Sequence, residues 1–467
     1  RDHSCEFGPG YWVQWQSGVL TVRILHVIHQ YFPDHVGGTE HYVRTLAHSQ
    51  TQRGHQVAIF CRKSGDGREV DESFDRAGME LDKDGGVSGW ISVYRAVDGP
   101  FTPARRFRST LGNRFLAGAM SRVISDVQPD LIHVHHLQGL PASALLDAGL
   151  AVPLVVTLHD YWWLCANAQL ITDYDSQVCE GPRWWLNCAH CGLARASAAT
   201  SISLQGIPGQ ALSPIVAPLF AQRAALLRRL IPRVGAWMAL TSFVADWHVA
   251  QGFPAKQMHM IDHGIALPSE GVGPARGRLP DQIGAPAARF AYIGGLAQQK
   301  GVHVLIDAFK ELPPSARLTI AGDEPAFPDY CASLRARAAP PGIHFAGRLA
   351  RDEVWQTMRW ADVLVVPSLW YETSSLVVLE AFATGTPVVA ADHGALAERV
   401  QHGTNGLLTP PGDVPALRQA LQRLTEEPTL LDRLRRGIKP VLDLEEHVLH
   451  VERVYRHVLA GQGTEQP

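Results

Sequence analysis

The sequence predicts an α/β protein in which two doubly wound parallel sheets follow one another along the chain. Short apolar runs alternate with segments of helical periodicity almost throughout, which is typical of βαβ units. The alternation stops at a Gly-, Pro- and Ala-rich segment, residues 266–288, and then starts again. The length of 467 residues also exceeds one ordinary hydrophobic core, so two domains are expected.

The predicted strands are short apolar runs bounded by turn residues. In the first half of the chain they are residues 23–30, 56–61, 92–97, 131–136, 154–160, 236–242 and 258–262. In the second half they are residues 289–295, 317–323, 343–347, 362–368, 387–392 and 406–410. Apolar residues at helical spacing predict a helix after the first strand, ending near Gly54, and an amphipathic helix over 444–461.

These elements predict a first domain over 22–265 and a second over 289–440, joined by the linker 266–288. A cysteine-bearing insertion is expected within the first domain, at about residues 161–195. Residues 1–21 show no strand or helix periodicity, and we interpret them as a disordered or non-native extension. Residues 441–467 are expected to form a C-terminal helix with a loose tail.

Composition excludes several classes of protein. A hydrophobic content of 46% with 19% charged residues is typical of a globular protein, and the net charge of −3 gives no general attraction to nucleic acid. We find no uninterrupted apolar run long enough to span a membrane and no apolar signal core. We therefore expect a cytoplasmic protein.

A candidate phosphate site lies where the strand 362–368 runs into the next helix. Thr373, Ser374 and Ser375 are residues that favour a helix N-terminus, where free N–H groups and the helix dipole attract phosphate. Glu372, just before them, is positioned for a hydroxylated group on that phosphate. Glu380, about two turns inside the helix, is positioned for a ribose diol.

Two further loops follow neighbouring predicted strands. Gly294 and Gly295 come directly after one strand, with Lys300 opening the next helix, and Gly322 and Asp323 follow the next strand. Glycine allows close approach of a ligand to the backbone, and a lysine supplies a positive charge for phosphate. Each signal is weak alone, since a solvated carboxylate pair and a surface lysine are the ordinary alternatives. Together the three loops favour one ligand site.

The motifs of both halves resemble those of one enzyme family. The Glu372-x7-Glu380 spacing in "PSLWYETSSLVVLEAFATGTPVVA", preceded by "YIGGLAQQKGVHVLIDAF", is similar to that of retaining glycosyltransferases that use nucleotide-diphosphate sugars (family 4-like, group 1). The segments "HQYFPDHVGGTEHYVRTLAHSQTQRGHQVAIF" and "VTLHDYWWLC" resemble the opening strand, Gly-Gly loop and active-site histidine strand of that group. The resemblance implies the GT-B fold, with two Rossmann-like domains facing across a cleft. It also implies that the C-terminal helix crosses back to the first domain.

The resemblance also implies roles for individual residues in the second domain. Glu380 would bind the nucleotide ribose, and Glu372 would contact the donor sugar. Lys300 would bind the pyrophosphate, and the amides of Ser375 and Leu376 would hold its distal phosphate.

In the first domain, the resemblance implies that His159 touches the donor sugar. Gly37 and Gly38 would lie beneath the phosphates and the acceptor. The acceptor hydroxyl would attack the face that the diphosphate leaves, and the departing phosphate would take its proton. No Asp-x-Asp motif stands at a strand end, so no catalytic metal ion is expected.

One position departs from the family pattern. Gly295 stands where the family usually has an arginine, so one of two cations expected on the pyrophosphate is absent, unless Arg348 or another residue compensates. This departure keeps open a catalytically weak nucleotide-sugar-binding protein. A nucleotide-sugar epimerase of the same fold is the enzymatic alternative.

Four of the seven cysteines, Cys165, Cys179, Cys188 and Cys191, are crowded into the insertion. The Cys-x2-Cys spacing at its end is common in zinc sites, and four thiolates complete a tetrahedral site. We predict a structural zinc, with His190 as a possible substitute ligand; disulfides and free thiols are the alternatives. The tryptophans of this region would stack on a sugar acceptor or form the insertion's own core; they are Trp162, Trp163, Trp184 and Trp185.

Two other clusters have a weaker functional interpretation. His133 and His135 share one face of a strand, which suits two metal ligands, but a structural role is the favoured interpretation. The helical segment 102–123 carries five arginines that would rest on anionic lipid if the acceptor is lipid-linked: Arg105, Arg106, Arg108, Arg114 and Arg122. An ordinary solvated helix face is the alternative. The expected partners are therefore a nucleotide sugar, a glycan or lipid-linked acceptor and, peripherally, the inner membrane face.

Overall fold

A computed structural model shows two compact units. The structure describes residues 15–16, 19–65, 74–80, 90–147, 152–198, 203–267, 288–338 and 342–461. The described residues of the first unit fall within Arg1–Leu240, Ala245–Asp262 and Glu445–Pro467. Those of the second unit fall within Thr241–Val244 and His263–Leu444. Most of the predicted linker, 266–288, and the loose tail lie outside the described residues.

The first unit holds an antiparallel strand pair and an eight-stranded sheet. The strands of the pair are β1 (Trp15–Gln16) and β2 (Val19–Leu20). The strands of the sheet are β3 (Arg23–Val27), β4 (Gln56–Ser64), β5 (Phe74–Glu80), β6 (Trp90–Asp98), β7 (Leu131–Val134), β8 (Leu154–Leu158), β9 (Val234–Ala239) and β10 (Met258–Met260). Their order is β10-β9-β8-β7-β3-β4-β6-β5, and only β5 pairs antiparallel among these described strands.

Seven of these strands were predicted from apolar runs. In β7 and β8 every residue is buried, and this burial explains why these strands form continuous apolar runs in the sequence. The strand β5 was missed because its sequence, FDRAGME, is mostly polar and small, which an edge strand tolerates. The expectation of no strand in residues 1–21 is wrong at β1 and β2, while the other residues before position 19 lie outside the described ones.

Helices connect these strands. They are α1 (Gly38–Gln52), α2 (Pro103–Leu111), α3 (Arg114–Val127), α4 (Ala144–Asp147), α5 (Leu186–Ser197), α6 (Ile207–Leu230) and α7 (Ser242–Ala250). The predicted helical segment 102–123 is two helices, because Gly112 ends α2 and the Asn113 side chain caps α3 by accepting from the Leu116 amide.

The second unit is built on a six-stranded, entirely parallel sheet. Its strands are β11 (Arg289–Ile293), β12 (Arg317–Ala321), β13 (Ile343–Gly347), β14 (Val363–Val366), β15 (Val388–Ala391) and β16 (Gly406–Thr409). Its helices are α8 (Val302–Phe309), α9 (Pro328–Arg337), α10 (Arg351–Trp360), α11 (Leu376–Ala383), α12 (Gly394–Arg399), α13 (Val414–Glu426) and α14 (Pro428–Arg436). The strand order is β13-β12-β11-β14-β15-β16, so the chain reverses its direction of winding between β11 and β14.

The last helix, α15 (Leu444–Gly461), has the bounds that the apolar spacing predicts. Its residues from Glu445 onward are grouped with the first unit. The apolar side chains of its buried face pack into that unit. Polar side chains on the same face hydrogen-bond to α1 and its C-cap: Tyr455 accepts from Gln50 Nε2 at 3.2 Å, and Glu452 accepts from Arg53 Nε at 2.7 Å. Within the described residues, no helix is long and apolar enough to cross a membrane.

Candidate active site

The candidate site of the second unit lies at the carboxyl ends of β11 and β14. These strands are neighbours at the point where the strand order reverses, which is where open α/β sheets bind ligands. The loop after β11 contains Gly294 and Gly295, and the loop after β14 contains Glu372. The sheet thus brings together loops that are about 80 residues apart in the chain.

Glu372 and Lys300 form an ion pair across this point. Lys300 Nζ donates to Glu372 Oε1 at 2.8 Å, and the same oxygen accepts from Ser368 Oγ at 2.6 Å and from Trp370 Nε1 at 2.9 Å. Burial alone would raise the pKa of Glu372, but the Lys300 charge and these three hydrogen bonds outweigh it and hold the pKa below its ordinary value. The carboxylate is therefore ionised and fixed in place.

The sequence predicted both residues but not their contact. Lys300 ends a short 3-10 turn, Gln298–Lys300, and does not open α8, which begins at Val302. Its ammonium lies 4.9 Å from the centre of the Trp370 ring. The turn thus aims the lysine toward the loop after β14, and neither Ser368 nor Trp370 was singled out beforehand.

The start of α11 is fixed by its backbone. Ser375 occupies the N-cap position with φ 61°, a left-handed conformation rare outside glycine, and its side chain makes no capping hydrogen bond. The prediction that side chains of this run cap the helix is therefore wrong for Ser375. Arg399 Nε donates to the Ser374 carbonyl at 2.6 Å, and Thr241 Oγ1 donates to the Thr373 carbonyl at 3.0 Å. These bonds fix the two residues before Ser375, and the first amides of α11 have no acceptor within the helix, as at any helix start.

Glu380 lies deeper than Ser375 but less deep than predicted. It is the fifth residue of α11, so it lies slightly more than one turn from the start and not two. Its carboxylate pairs with the guanidinium of Arg351, at the first position of α10. Burial raises the pKa of Glu380, and the Arg351 charge opposes this rise. Arg351 was missed because nothing in the sequence links it to a residue 29 positions later.

The surroundings of Arg348 and Gly295 bear on the arginine that the family pattern has at position 295. Arg348 is about half exposed, and its guanidinium lies 3.9 Å from an Asp323 carboxylate oxygen. A Cβ placed on Gly295 would meet no atom within 4 Å, so the position has room for a side chain. The absence of an arginine at position 295 is therefore not imposed by packing.

Gly301 and Gly322, in contrast, are required by packing. A Cβ on Gly322 would lie 2.2 Å from the Gly294 carbonyl oxygen, so the loops after β11 and β12 pass backbone against backbone. Gly301 has φ +70°, and a Cβ there would lie 2.0 Å from the Pro367 carbonyl oxygen. Gly301 thus lets the Lys300 turn pack directly on the loop that carries Glu372.

We expect Gly301→Ala to destabilise the second unit by at least about 2 kcal/mol, because it combines a left-handed φ with a backbone clash. Gly295→Ala is the matched control and should change the free energy of unfolding by no more than about 0.5 kcal/mol. Urea unfolding midpoints of the two variants check this expectation. Equal midpoints would contradict the close packing of the two loops.

In the first unit, His159 follows β8 and ends a group of histidines on β3 and β7. Its Nε2 lies 3.1 Å from His135 Nδ1, and its ring packs against Tyr42 with centroids 4.8 Å apart. Burial lowers the pKa of His159 to about 3, although the neighbouring Asp160 opposes this shift. His159 is therefore uncharged near neutral pH and can act as a hydrogen-bonding group rather than as a cation.

Gly37 and Gly38 stand where α1 begins. Gly37 is its N-cap, and a Cβ there would lie 2.7 Å from Glu40 Oε2. Glu40 is buried and accepts from Gln30 Nε2 at 2.9 Å. The start of α1 thus already has a carboxylate of the chain itself beside it, that of Glu40.

The four cysteines of the insertion form no disulfide. Burial raises the pKa of Cys188 to about 12, and it raises the pKa values of Cys179 and Cys191 as well. Among the described residues, the side chains whose potential ligand atoms all lie within 4.8 Å of one another are His26, His133 and His135. Zinc on the four thiolates therefore stays a prediction. His190, the possible substitute ligand, stacks on Tyr174 and hydrogen-bonds to the Gln205 carbonyl at 2.8 Å.

The tryptophans of the insertion divide into two kinds. Trp162 and Trp163 are buried, and Trp163 packs edge-on against Trp237 of β9 at 4.8 Å, so both belong to the core of the first unit. Trp184, in contrast, is 86% exposed, and Trp185 is partly buried against the small core around Ala189 and Phe220, so these two can meet an acceptor.

Comparison with known families covers both units. The model for "Glycosyl transferases group 1" matches residues 287–427, and that for "Glycosyltransferase Family 4" matches residues 36–205, together about two thirds of the chain. The chain is a glycosyltransferase. The matched segments contain Lys300, Glu372 and Glu380 in the second unit and His159 in the first. These matches confirm the transferase of glycosyl groups that the motifs predicted.

This glycosyltransferase also resembles individual enzymes. It is 25% identical to a glycogen synthase of Mycobacterium tuberculosis over 475 aligned residues, which cover 96% of this chain and 97% of the relative. It is 31% identical to alpha-D-kanosaminyltransferase of Streptomyces kanamyceticus, but over 32% of this chain and 39% of the relative. The chain thus spans well under half of the second relative and nearly all of the first.

Solved structures confirm the GT-B fold. Sucrose-phosphate synthase from Thermosynechococcus elongatus superposes with a TM-score of 0.66 over 94% of this glycosyltransferase and 99% of that chain, at 20% identity. WaaG, a glycosyltransferase involved in lipopolysaccharide biosynthesis, superposes with a TM-score of 0.56 over 95% and 100%, at 16% identity.

Proposed function

We propose that the protein transfers a sugar from a nucleotide-diphosphate donor to a hydroxyl of a glycan or lipid-linked acceptor, with retention of configuration. The observation that carries this proposal is the Lys300–Glu372 pair beside the start of α11, at the reversal point of the second sheet. A positive charge, the amides of a helix start and a fixed carboxylate together suit a diphosphate joined to a hydroxylated ring.

Charge development during transfer explains these groups. Breaking the bond between the sugar's anomeric carbon and the phosphate oxygen leaves positive charge on the sugar and negative charge on the diphosphate. Lys300 and the amides of Ser375 and Leu376 stabilise the diphosphate, while Glu372 orients the sugar. The acceptor oxygen bonds to the anomeric carbon on the face that the diphosphate leaves, and its proton passes to the departing phosphate. No metal ion is needed in these steps.

Glu380 is assigned to the ribose of the nucleotide. Its raised pKa and its pairing with the half-exposed Arg351 describe a carboxylate that can exchange one hydrogen-bond partner for another. A ribose diol supplies two O–H donors to such a group.

Nucleotide binding tests this assignment. We expect one of UDP, GDP, ADP, CMP and TDP to raise the melting temperature, since a ligand at a hundred times its Kd adds about 2.7 kcal/mol. Glu380→Ala should abolish the shift. The matched control is Glu311→Ala, which removes another glutamate of the same unit, paired with Arg418 at 3.0 Å. No shift with any nucleotide would contradict the proposal, and the responding nucleotide identifies the donor class.

Gly295 favours weak donor binding as a second candidate function. Because no cation stands at that position, a protein that binds nucleotide sugar but neither transfers nor hydrolyses it would meet this description. Turnover of the donor without any acceptor would instead identify an epimerase. Radiolabelled donor, incubated with and without acceptor glycans, distinguishes these outcomes.

We propose a cytoplasmic enzyme whose acceptor lies in solution or at the inner membrane face. The arginines of α2 and α3 support the second location less than the sequence suggests. Arg105 pairs with Asp98, and Arg106 stacks on Phe101, so Arg108, Arg114 and Arg122 are the exposed arginines of the original five.

A further inference from the structure

Three buried histidines of the first unit, His26, His133 and His135, belong to one chain of hydrogen bonds. It begins at a threonine of the sheet, passes through α15 and α1, and ends at His159. In order, its members are Thr157, His133, Tyr455, Gln50, His26, His135 and His159.

A separate pair of hydrogen bonds holds α15 beside this chain. The Asp262 carbonyl can only accept, so His447 Nδ1 carries a proton and donates to it at 2.7 Å. Burial lowers the pKa of His447 to about 4, so the ring is neutral and its Nε2 accepts from the Tyr42 hydroxyl at 2.9 Å.

The first bonds of the chain link the sheet to α15. His133 Nε2 lies 2.8 Å from Thr157 Oγ1, and its Nδ1 lies 2.7 Å from the Tyr455 hydroxyl. Burial holds the pKa of His133 well below its usual value, so the ring is neutral. The Tyr455 oxygen accepts from Gln50 Nε2 at 3.2 Å, and this bond fixes the direction of those that follow.

Three bonds then lead to His159. The Gln50 amide nitrogen donates to Tyr455, so its oxygen accepts from His26 Nε2 at 2.8 Å. Burial lowers the pKa of His26 to about 4, and its Nδ1 accepts from His135 Nε2 at 2.9 Å. His135 Nδ1 accepts in turn from His159 Nε2 at 3.1 Å.

We propose that this chain sets the tautomer of His159, with the proton on Nε2 and a lone pair on Nδ1. His159 is partly exposed, whereas His26, His133 and His135 are buried, so the chain ends at the ring that can meet a ligand. Tyr455 of α15 is a positioning residue, since it acts on His159 through the intervening groups.

The chain also explains the close approach of His26, His133 and His135. Their potential ligand atoms lie within 4.8 Å of one another, as in a metal site. However, each of their six ring nitrogens already has a hydrogen-bond partner in the chain. A bound metal ion would have to break these bonds, so metal analysis of the purified protein is a direct check.

Ring-nitrogen NMR of protein labelled with ¹⁵N-histidine tests the tautomer without any donor. The signals of His159 are assigned by their loss in His159→Asn. In the wild type we expect a protonated Nε2 and an unprotonated Nδ1. Tyr455→Phe removes the hydroxyl that orients the Gln50 amide, so His159 should then show both tautomers.

Activity gives a second measurement on the same variants. Losing one oriented hydrogen bond should lower kcat about fivefold in Tyr455→Phe, with nucleotide affinity unchanged. Tyr94→Phe is the matched control, because it removes another buried hydroxyl of the first unit, one bonded to Asp126 outside the chain. It should leave both the tautomer and kcat as in the wild type.

Several results would overturn the proposal. They are a proton on His159 Nδ1 in the wild type, a single unchanged tautomer in Tyr455→Phe, or a stoichiometric metal ion bound to the three histidines. Failure of all nucleotides to bind would instead contradict the proposed function and leave the tautomer result standing.

Discussion

Replacing Lys300 by alanine will lower kcat for sugar transfer by about two to three orders of magnitude, as expected when a preorganised donor to a developing negative charge is removed. Lys300 is the cation found on the Glu372 oxygen at the end of β11, and Gly295 contributes none. The measurement is steady-state transfer with the donor identified by nucleotide binding.

Two further variants separate charge loss from unfolding. Lys310→Ala removes another lysine of the same unit, which pairs with Asp307 at 2.6 Å on the surface, and it should leave kcat unchanged. Lys300→Ala leaves the buried Glu372 carboxylate without its cation, which destabilises the second unit. Adding Glu372→Gln to Lys300→Ala should restore stability but not activity. Recovery of activity in the double variant would contradict the role assigned to Lys300.

Lowering the pH from 7.5 to 5.5 will destabilise the first unit by several kcal/mol. Six of its histidines have pKa values lowered mainly by burial: His26, His29, His133, His135, His159 and His447. In the unfolded chain each takes up a proton near pH 6.5, whereas in the folded unit each stays neutral. The unfolded state therefore binds more protons below pH 6.5, and stability falls with pH until the folded pKa values, such as about 4 for His26, are reached.

The size of this effect follows from the number of groups. Each histidine that stays neutral costs about 1.4 kcal/mol for every pH unit below 6.5. At pH 5.5 the six together approach the total stability of an ordinary domain, about 5–15 kcal/mol. Carboxylates add little in this window because they titrate at lower pH.

Two buried cysteines let the units be followed separately during urea unfolding. Cys61 lies in the first unit and Cys331 in the second, and both are free and buried. Labelling with a dipyridyl disulfide, which reacts in acid, should show the Cys61 midpoint falling sharply from pH 7.5 to 5.5 and the Cys331 midpoint changing much less. Midpoints that move together, or a constant Cys61 midpoint, would contradict the neutral histidine chain.

The sequence predicted what depends on local pattern. Parallel strands buried on both faces, such as β14 with its run VLVV, are recognisable in the sequence as apolar runs. The helix α15 was predicted from its apolar spacing. The edge strand β5 was not found, since it pairs on one side and carries few apolar residues. Some predicted strands also included the first residues of the following loop. Gly294 and Gly295, for example, were counted with β11, which ends at Ile293.

Contacts between distant residues were the harder part. Glu372 and Lys300 were both predicted to meet a donor, but their mutual ion pair depends on how two loops pack at Gly301. The histidine chain was visible only as two residues on one face of a strand, His133 and His135. His26 joins them because β3 lies beside β7, which places His26 opposite His133. The local sequence does not show which strands are neighbours in the sheet.

The position of α15 in the chain has a consequence for how the protein is made. His447 and Tyr455 are translated after every residue of the second unit, yet they complete the hydrogen bonds inside the first. A growing chain that has finished β10 carries the whole first sheet, but Tyr42, Gln50 and His133 still lack these partners. Domains generally fold as they are synthesised. Here the hydrogen bonds that orient the histidines of the first sheet can form only when the ribosome has passed residue 455. The first unit is therefore completed by the last helix of the protein.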